Sequence, residues 1–338
     1  MALPHAVVVG LQGVELEPQE QRLLAAANPL GVILFQRNVA DPAQLRRLAA
    51  DVRDCLGRDD APILIDQEGG RVARLRPPLW RGYPPARRIG EIAERDPERG
   101  ERLAYAVALR IAADLAAVGI DWVCAPVLDL LRPETHAVIG DRAFAGDPDL
   151  VARLGTAAVQ GFLDGGVVPI VKHLPGHGRA TADSHLTLPR VVASQAELEA
   201  TDFVPFRLLA DAPAAMTAHV CFEAIDPHRP FTTSATALDT VARGSLGTTG
   251  LLFSDDVDMQ ALHGSVAERV IAVLDAGHDV ALQCSGRPED MAAAVAVAPE
   301  MTAPSWTRFT TARARATSAA LGDVDVAALD DELAVAGV

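Results

Sequence analysis

Cysteine is scarce and scattered. Cys55, Cys124, Cys221 and Cys284 form no C-x-x-C pair, which argues against structural zinc and for reduced, mostly buried thiols in a cytosolic protein. No apolar run reaches the length of a membrane span. The opening MALPHAVVVGLQG lacks the basic region, long apolar core and small-residue cleavage site of a secretion signal, so it reads as a first strand and the cytoplasm is the expected compartment. No stretch is rich in lysine and arginine, and 30 basic against 45 acidic side chains leave a formal net charge of −15. Nucleic acid and anionic membrane surfaces are poor partners for such a chain, and a neutral or cationic substrate suits it better. Aromatic residues make up 4%, too few to nominate a stacking platform for a ligand. No Pro/Ser/Gly-rich linker interrupts the chain, so residues 1–338 are expected to form a single domain.

Apolar residues, at 49%, are sufficient for a large core. They gather in short Val/Ile/Leu-rich runs at 6–11, 31–35, 62–66, 120–127, 167–173, 214–220, 250–255 and 279–284. Amphipathic stretches separate them, among them 41–56, 96–119 and 265–277, several opening on Asp-Pro or Ser and closing on Gly as helices do. Eight strand–helix units with near-continuous apolar strands predict a (β/α)8 TIM barrel. A doubly wound sheet would carry G-x-G-x-x-G after its first strand, but GLQGVELEP stands there. The Ala-rich tail, roughly 300–338, is expected to add helices on the barrel's outside.

Barrel active sites form at the C-terminal strand ends. The third run ends in Asp66, with Glu68, Arg71 and Arg74 following; Arg142 follows the fourth; Lys172 and His173 end the fifth. His219 ends the sixth, and the seventh closes on 254-SDDVDM-259. Five strands thus aim ionisable groups at one mouth. The densest stretch, 171-VKHLPGHGRATADSHLTLPR-190, raises three readings. His173 and His177 would face one metal ion on a helix, but Pro175, Gly176 and Gly178 forbid that helix, so no metal is expected. A phosphate cradle lacks the P-loop pattern. Proton transfer remains: Asp183 and His185, two apart on an extended segment, point the same way, so the carboxylate can fix the imidazole tautomer. With a carboxylate opposite, such a pair can break an acetal, one group attacking the anomeric carbon while the other protonates the leaving oxygen. Asp255 should face the mouth for this role, and Asp66 and Glu68 are rivals that pattern alone does not eliminate.

The blocks 65-IDQEGGRVARL-75, 172-KHLPGHGRATADSH-185 and 254-SDDVDM-259 resemble the signatures of glycoside hydrolase family 3. More closely, they resemble its bacterial β-N-acetylglucosaminidase branch, which acts in peptidoglycan recycling. Supporting blocks lie at 32–45, 125–130 and 217–220. The resemblance implies that Asp255 is the nucleophile of a retaining reaction and that His185, held by Asp183, is the general acid/base. It further implies that Asp66, Arg74, Arg142, Lys172, His173 and His219 bind the terminal sugar, while Glu68 and Arg71 form structural ion pairs. The PGHG turn would be a hinge carrying His185 in and out, with His177 supporting the turn. Leu174 replaces the family's usual Phe, and Val257 and Asp258 depart from its usual Leu and Ser or Asn; Asp258 is expected to face solvent. The whole reading is a monomeric, cytoplasmic hydrolase of N-acetylglucosaminides such as anhydro-muropeptides, needing neither metal nor cofactor. A phosphorylase, whose histidine acid/base would not repel phosphate, and a non-catalytic sugar-binding barrel are the alternatives.

Overall fold

The computed structural model describes residues 3–317. Its ten strands are β1 (His5–Gly10), β2 (Pro29–Leu34), β3 (Ile63–Ile65), β4 (Trp122–Val123), β5 (Val168–Leu174), β6 (Arg190–Val191), β7 (Ala214–Thr217), β8 (Cys221–Phe222), β9 (Leu251–Asp256) and β10 (Val280–Gln283). Eight of them close a parallel barrel in the order β1, β2, β3, β4, β5, β7, β9, β10, with β10 pairing back onto β1. This is the TIM barrel predicted from the eight apolar runs, and each run supplies one barrel strand. The strands read as unbroken apolar segments because helices cover their outer faces while the barrel interior covers the inner ones. The pair β6 and β8 forms a separate two-stranded sheet.

Two strands are shorter than their apolar runs. The fourth stops at Val123 because Pro126 offers no N–H to the ladder; the chain rejoins it by one bridge, Val127 to Lys172. The sixth run leaves the barrel at Thr217, so His219 lies beyond a strand end rather than on it.

Helix ends follow the local chemistry. Asp41 accepts the amides of Ala43 and Gln44 at the start of Pro42–Leu56, and Ser265 forms a capping box with Glu268 ahead of Val266–Ala276. Gly277 closes that last helix in the left-handed region at φ 115°, where a side chain would be strained.

The helix Ala303–Thr317 packs on the outside of the barrel, across its N-terminal end. Ser305 and Arg308 both donate to Asp279, which precedes β10. Phe309 stacks on Trp122 of β4 at 5.7 Å, and Trp122 meets Phe253 of β9 edge-on at 6.0 Å. A wide aromatic surface at the barrel floor needs a cover, and this helix supplies it. Expectations for 318–338 lie outside the described residues. Among the described residues no helix is long and apolar enough to cross a membrane.

Candidate active site

At the opposite end, a cavity of about 200 Å³ opens at the C-terminal ends of the strands. Asp66, Arg74, Arg142, Lys172, His173, His185 and Asp255 all line it, over an apolar floor that includes Ile33, Cys124, Met216 and Leu282. Of the five strands read from the sequence as converging on one mouth, four (β3, β4, β5 and β9) bring these seven residues together.

The segment after β3 is a tight loop that folds Arg74 back onto Asp66. Gln67 accepts the amides of Arg74 and Leu75 and donates to the Leu75 carbonyl. Gly69 turns the chain at φ 99° where a Cβ would sit 2.3 Å from the Pro84 carbonyl oxygen, so no other residue fits. Arg74 then reaches Asp66 Oδ2 at 3.1 Å, with its guanidinium over the Phe35 ring.

Lys172 is buried, and its Nζ stands 2.8 Å from Asp66 Oδ1 and 2.7 Å from Glu68 Oε1. Arg142 grips Glu68 through two parallel hydrogen bonds of 2.8 Å. Burial pushes both carboxyls up, but these cations outweigh it: Glu68 falls to about 2 and Asp66 lies far below its ordinary value. Glu68 is thus locked in ion pairs, and Arg71 pairs with Asp141 at 2.8 Å while holding the carbonyls of Ala137 and Val138.

At the end of β5 the pairing register with β7 shifts between Lys172 and Leu174, and the Lys172–His173 peptide is cis. Such an irregularity lets neighbouring residues serve the same mouth. His173 is fixed by a residue to which the sequence pattern assigns no part. Asp129 accepts the His173 ring Nδ1 at 2.6 Å, the His173 amide at 3.2 Å and the His177 amide at 2.6 Å. It is fully buried; burial raises its pKa, but the two histidines and their amides bring it down to about 2. Its signal in the sequence is a single acid inside the apolar run APVLDL.

Asp255 is the penultimate residue of β9, where a second register irregularity sets Val280 opposite Phe253 but Leu282 opposite Asp256. Asp255 Oδ1 accepts the Asp256 amide at 2.8 Å. Burial acts to raise its pKa, yet the facing His173, that amide and Lys172 leave it below the ordinary carboxylate value. Asp255 is therefore an anion in the cavity at neutral pH.

Asp258 does not face solvent as expected. Its Oδ2 accepts the amides of Cys284 and Ser285 and the side chain of Gln283, tying the loop after β9 to the end of β10. Its charge acts on Asp256 rather than on Asp255: burial first, then Asp258, push Asp256 well above its ordinary value.

His219 is fully buried and absent from the cavity wall. One ring nitrogen meets Thr232 Oγ1 at 2.9 Å and the other the Asp256 carbonyl at 2.9 Å. It braces the backbone behind Asp255.

The PGHG turn is packed, not free. Gly176 and Gly178 are buried, and a Cβ on Gly178 would come within 2.1 Å of the Leu130 carbonyl oxygen. Full exposure begins at Thr181 and recurs at His185, Leu186 and Thr187. On that segment Asp183 Oδ1 meets His185 Nδ1 at 2.8 Å and accepts its amide at 2.9 Å. The rest of the His185 ring is largely exposed.

The sequence pattern described as the glycosyl hydrolase family 3 N-terminal domain matches residues 7–315. The chain belongs to this family. It is 41% identical to a beta-hexosaminidase of Alkalilimnicola ehrlichii over 87% of this chain and 84% of that one. A beta-hexosaminidase of Pseudomonas aeruginosa is 39% identical over 83% of each. The solved structure of NagZ from Neisseria gonorrhoeae in complex with N-trifluoroacetyl-D-glucosamine superimposes with a TM-score of 0.89 at 31% identity, covering 100% of this chain and 99% of that one. This family 3 chain is a glycoside hydrolase. Besides the ion-paired Asp66, two carboxyl groups line its cavity: Asp255, held below its ordinary value, and Asp256, pushed well above it.

Proposed function

We propose that the chain is a retaining β-N-acetylglucosaminidase with Asp255 as nucleophile and His185, oriented by Asp183, as acid/base. The observation that carries this reading is that an anionic Asp255 and His185, whose ring is bonded to Asp183, line one cavity. The rival carboxylates Asp66 and Glu68 are committed to Lys172, Arg74 and Arg142, which leaves neither free to attack.

On this reading the bond changes balance. The Asp255 carboxylate attacks the anomeric carbon while the glycosidic C–O bond breaks and the departing oxygen takes the proton from His185 Nε2. Asp183 stabilises the imidazolium that precedes this step. His185, now neutral, takes a proton from water as that water displaces Asp255, which restores both groups and gives net retention. Asp66, Arg74, Arg142, Lys172 and His173 bind the hydroxyls and N-acetyl group of the terminal sugar. In family 3 relatives named beta-hexosaminidase, and in NagZ binding an N-acylated glucosamine, the same substrate class recurs. The finer assignment is a cytoplasmic, monomeric, single-domain enzyme releasing N-acetylglucosamine from anhydro-muropeptides in peptidoglycan recycling.

A 2-fluoro N-acetylglucosaminide analogue should label Asp255, and Asp255→Ala should abolish release from a chromogenic N-acetylglucosaminide. Activity surviving that substitution, or a label on Glu68, rejects the assignment. A phosphorylase would instead give a sugar phosphate and depend on added phosphate, so product analysis with and without phosphate separates the two.

A further inference from the structure

His177 has no part in the chemistry above, yet it is buried at the edge of the catalytic cavity. Its amide is anchored on Asp129, and its ring lies 5.8 Å from that of His173. Its Nε2 stands 3.2 Å from Ser184 Oγ. Ser184 is the buried residue between Asp183 and the exposed His185, and Leu186 beyond them is 75% exposed. Three hydrogen bonds reach residues 184–185 from outside the loop: this one, the Ala261 amide to the Ser184 carbonyl at 3.2 Å, and the Gln260 amide to the His185 carbonyl at 3.3 Å. Two of the three are made by Ser184.

We propose that His177 and Ser184 form a latch that docks the acid/base loop in the cavity, which makes both of them positioning residues for His185. This rests on the reading of His185 as the proton donor. The latch has a rigid half and a movable half. His177 sits on a turn packed against Leu130 and tied to Asp129, whereas Ser184 lies on the exposed segment 181–188.

The tautomer follows from the contacts. His177 Nδ1 is buried without a partner. A buried N–H without an acceptor is rarer and more costly than an unused acceptor, so the proton belongs on Nε2 and the ring donates to Ser184 Oγ. Burial also holds the His177 pKa down to about 4. The ring is neutral through the neutral range, so the latch keeps its hydrogen bond there.

Loss of one such hydrogen bond should shift a loop balanced between docked and open about tenfold towards open. In Ser184→Ala, exchange of the Ala261 and Gln260 amides, which donate to loop carbonyls, should quicken by about threefold. Its kcat/KM on a disaccharide N-acetylglucosaminide, whose leaving alcohol needs a proton, should fall by about threefold. On a 2,4-dinitrophenyl N-acetylglucosaminide, which leaves without protonation, kcat/KM should stay within about twofold of wild type. Ser184→Thr, which keeps the hydroxyl, should restore both exchange and the disaccharide rate. Unchanged amide exchange in Ser184→Ala overturns the latch, as does equal slowing of both substrates. A wild-type enzyme inert towards both substrates would reject the glycosidase reading instead, while the exchange measurement would still judge the latch.

Discussion

Lys172 is the single lysine in a chain with 30 basic side chains, and it is placed where a compact cation is required. Its ammonium touches Asp66 and Glu68 at 2.8 and 2.7 Å while Arg142 occupies both oxygens of Glu68 from another side. A guanidinium is planar and wider, and it meets carboxylates through a fork rather than a point. Lys172→Arg should therefore fail as a conservative change, lowering kcat/KM on a chromogenic N-acetylglucosaminide by roughly 100-fold through misplacement of the sugar-binding groups. A rate within about threefold of wild type would show that charge alone suffices at this position. Lys172 was legible as a polar residue ending an apolar strand. Asp129 and Gln67 were not, because each acts by collecting amides from a loop, and a loop's path is not written in residue types. His219 and Asp258 were misplaced for the same reason. Their side chains turn towards backbone groups of other segments, which spacing along one segment does not reveal.

At the scale of elements, the apolar runs located all eight barrel strands because burial on both faces leaves little choice of residue. What periodicity could not supply was the two register irregularities, after Lys172 and before Asp256, that aim His173 and Asp255. Nor could it show the destination of the helix Ala303–Thr317, since an amphipathic helix declares that it has an apolar face, not which surface receives it. That helix carries the second prediction. Phe309 is fully buried between Trp122 and Trp306, with ring centroids at 5.7 and 5.1 Å. Phe309→Ala should cost about 3–5 kcal/mol of stability from lost burial and the cavity left behind, read as a lower urea midpoint. Because the helix closes the end of the barrel away from the catalytic cavity, kcat/KM of the folded variant should be unchanged. A variant with full stability would mean that the helix is not a necessary floor.

For the molecule as a whole, acid should act in two successive windows. His177 and His278 are buried and their pKa values are held down to about 4, in each case chiefly by burial. An unfolded chain takes up those protons near its ordinary histidine value, roughly 6.5, before the native state does, so stability falls from about pH 6.5 towards 4. Glu68 and Asp129 work in the lower window. Their native values near 2 mean that the stability they contribute is intact above the ordinary carboxylate range and is lost as the pH falls towards 2. The upper window can be tested at His278, which is remote from the proposed chemistry. One ring nitrogen meets the Val273 carbonyl at 2.9 Å and the other Thr217 Oγ1 at 2.8 Å, so the neutral ring has a partner on each side, and the Val273 carbonyl takes the Nδ1 proton. A second proton, on Nε2, would place a charge in the core, which burial opposes. His278→Gln removes this titration. Its unfolding free energy should vary less between pH 7 and 4.5 than that of the wild type, with the difference approaching roughly 3 kcal/mol at the acid end of a full shift. Urea unfolding at pH 7, 5.5 and 4.5 measures it. Parallel pH dependences for the two proteins would mean that His278 already carries its proton in the native core or never receives it on unfolding.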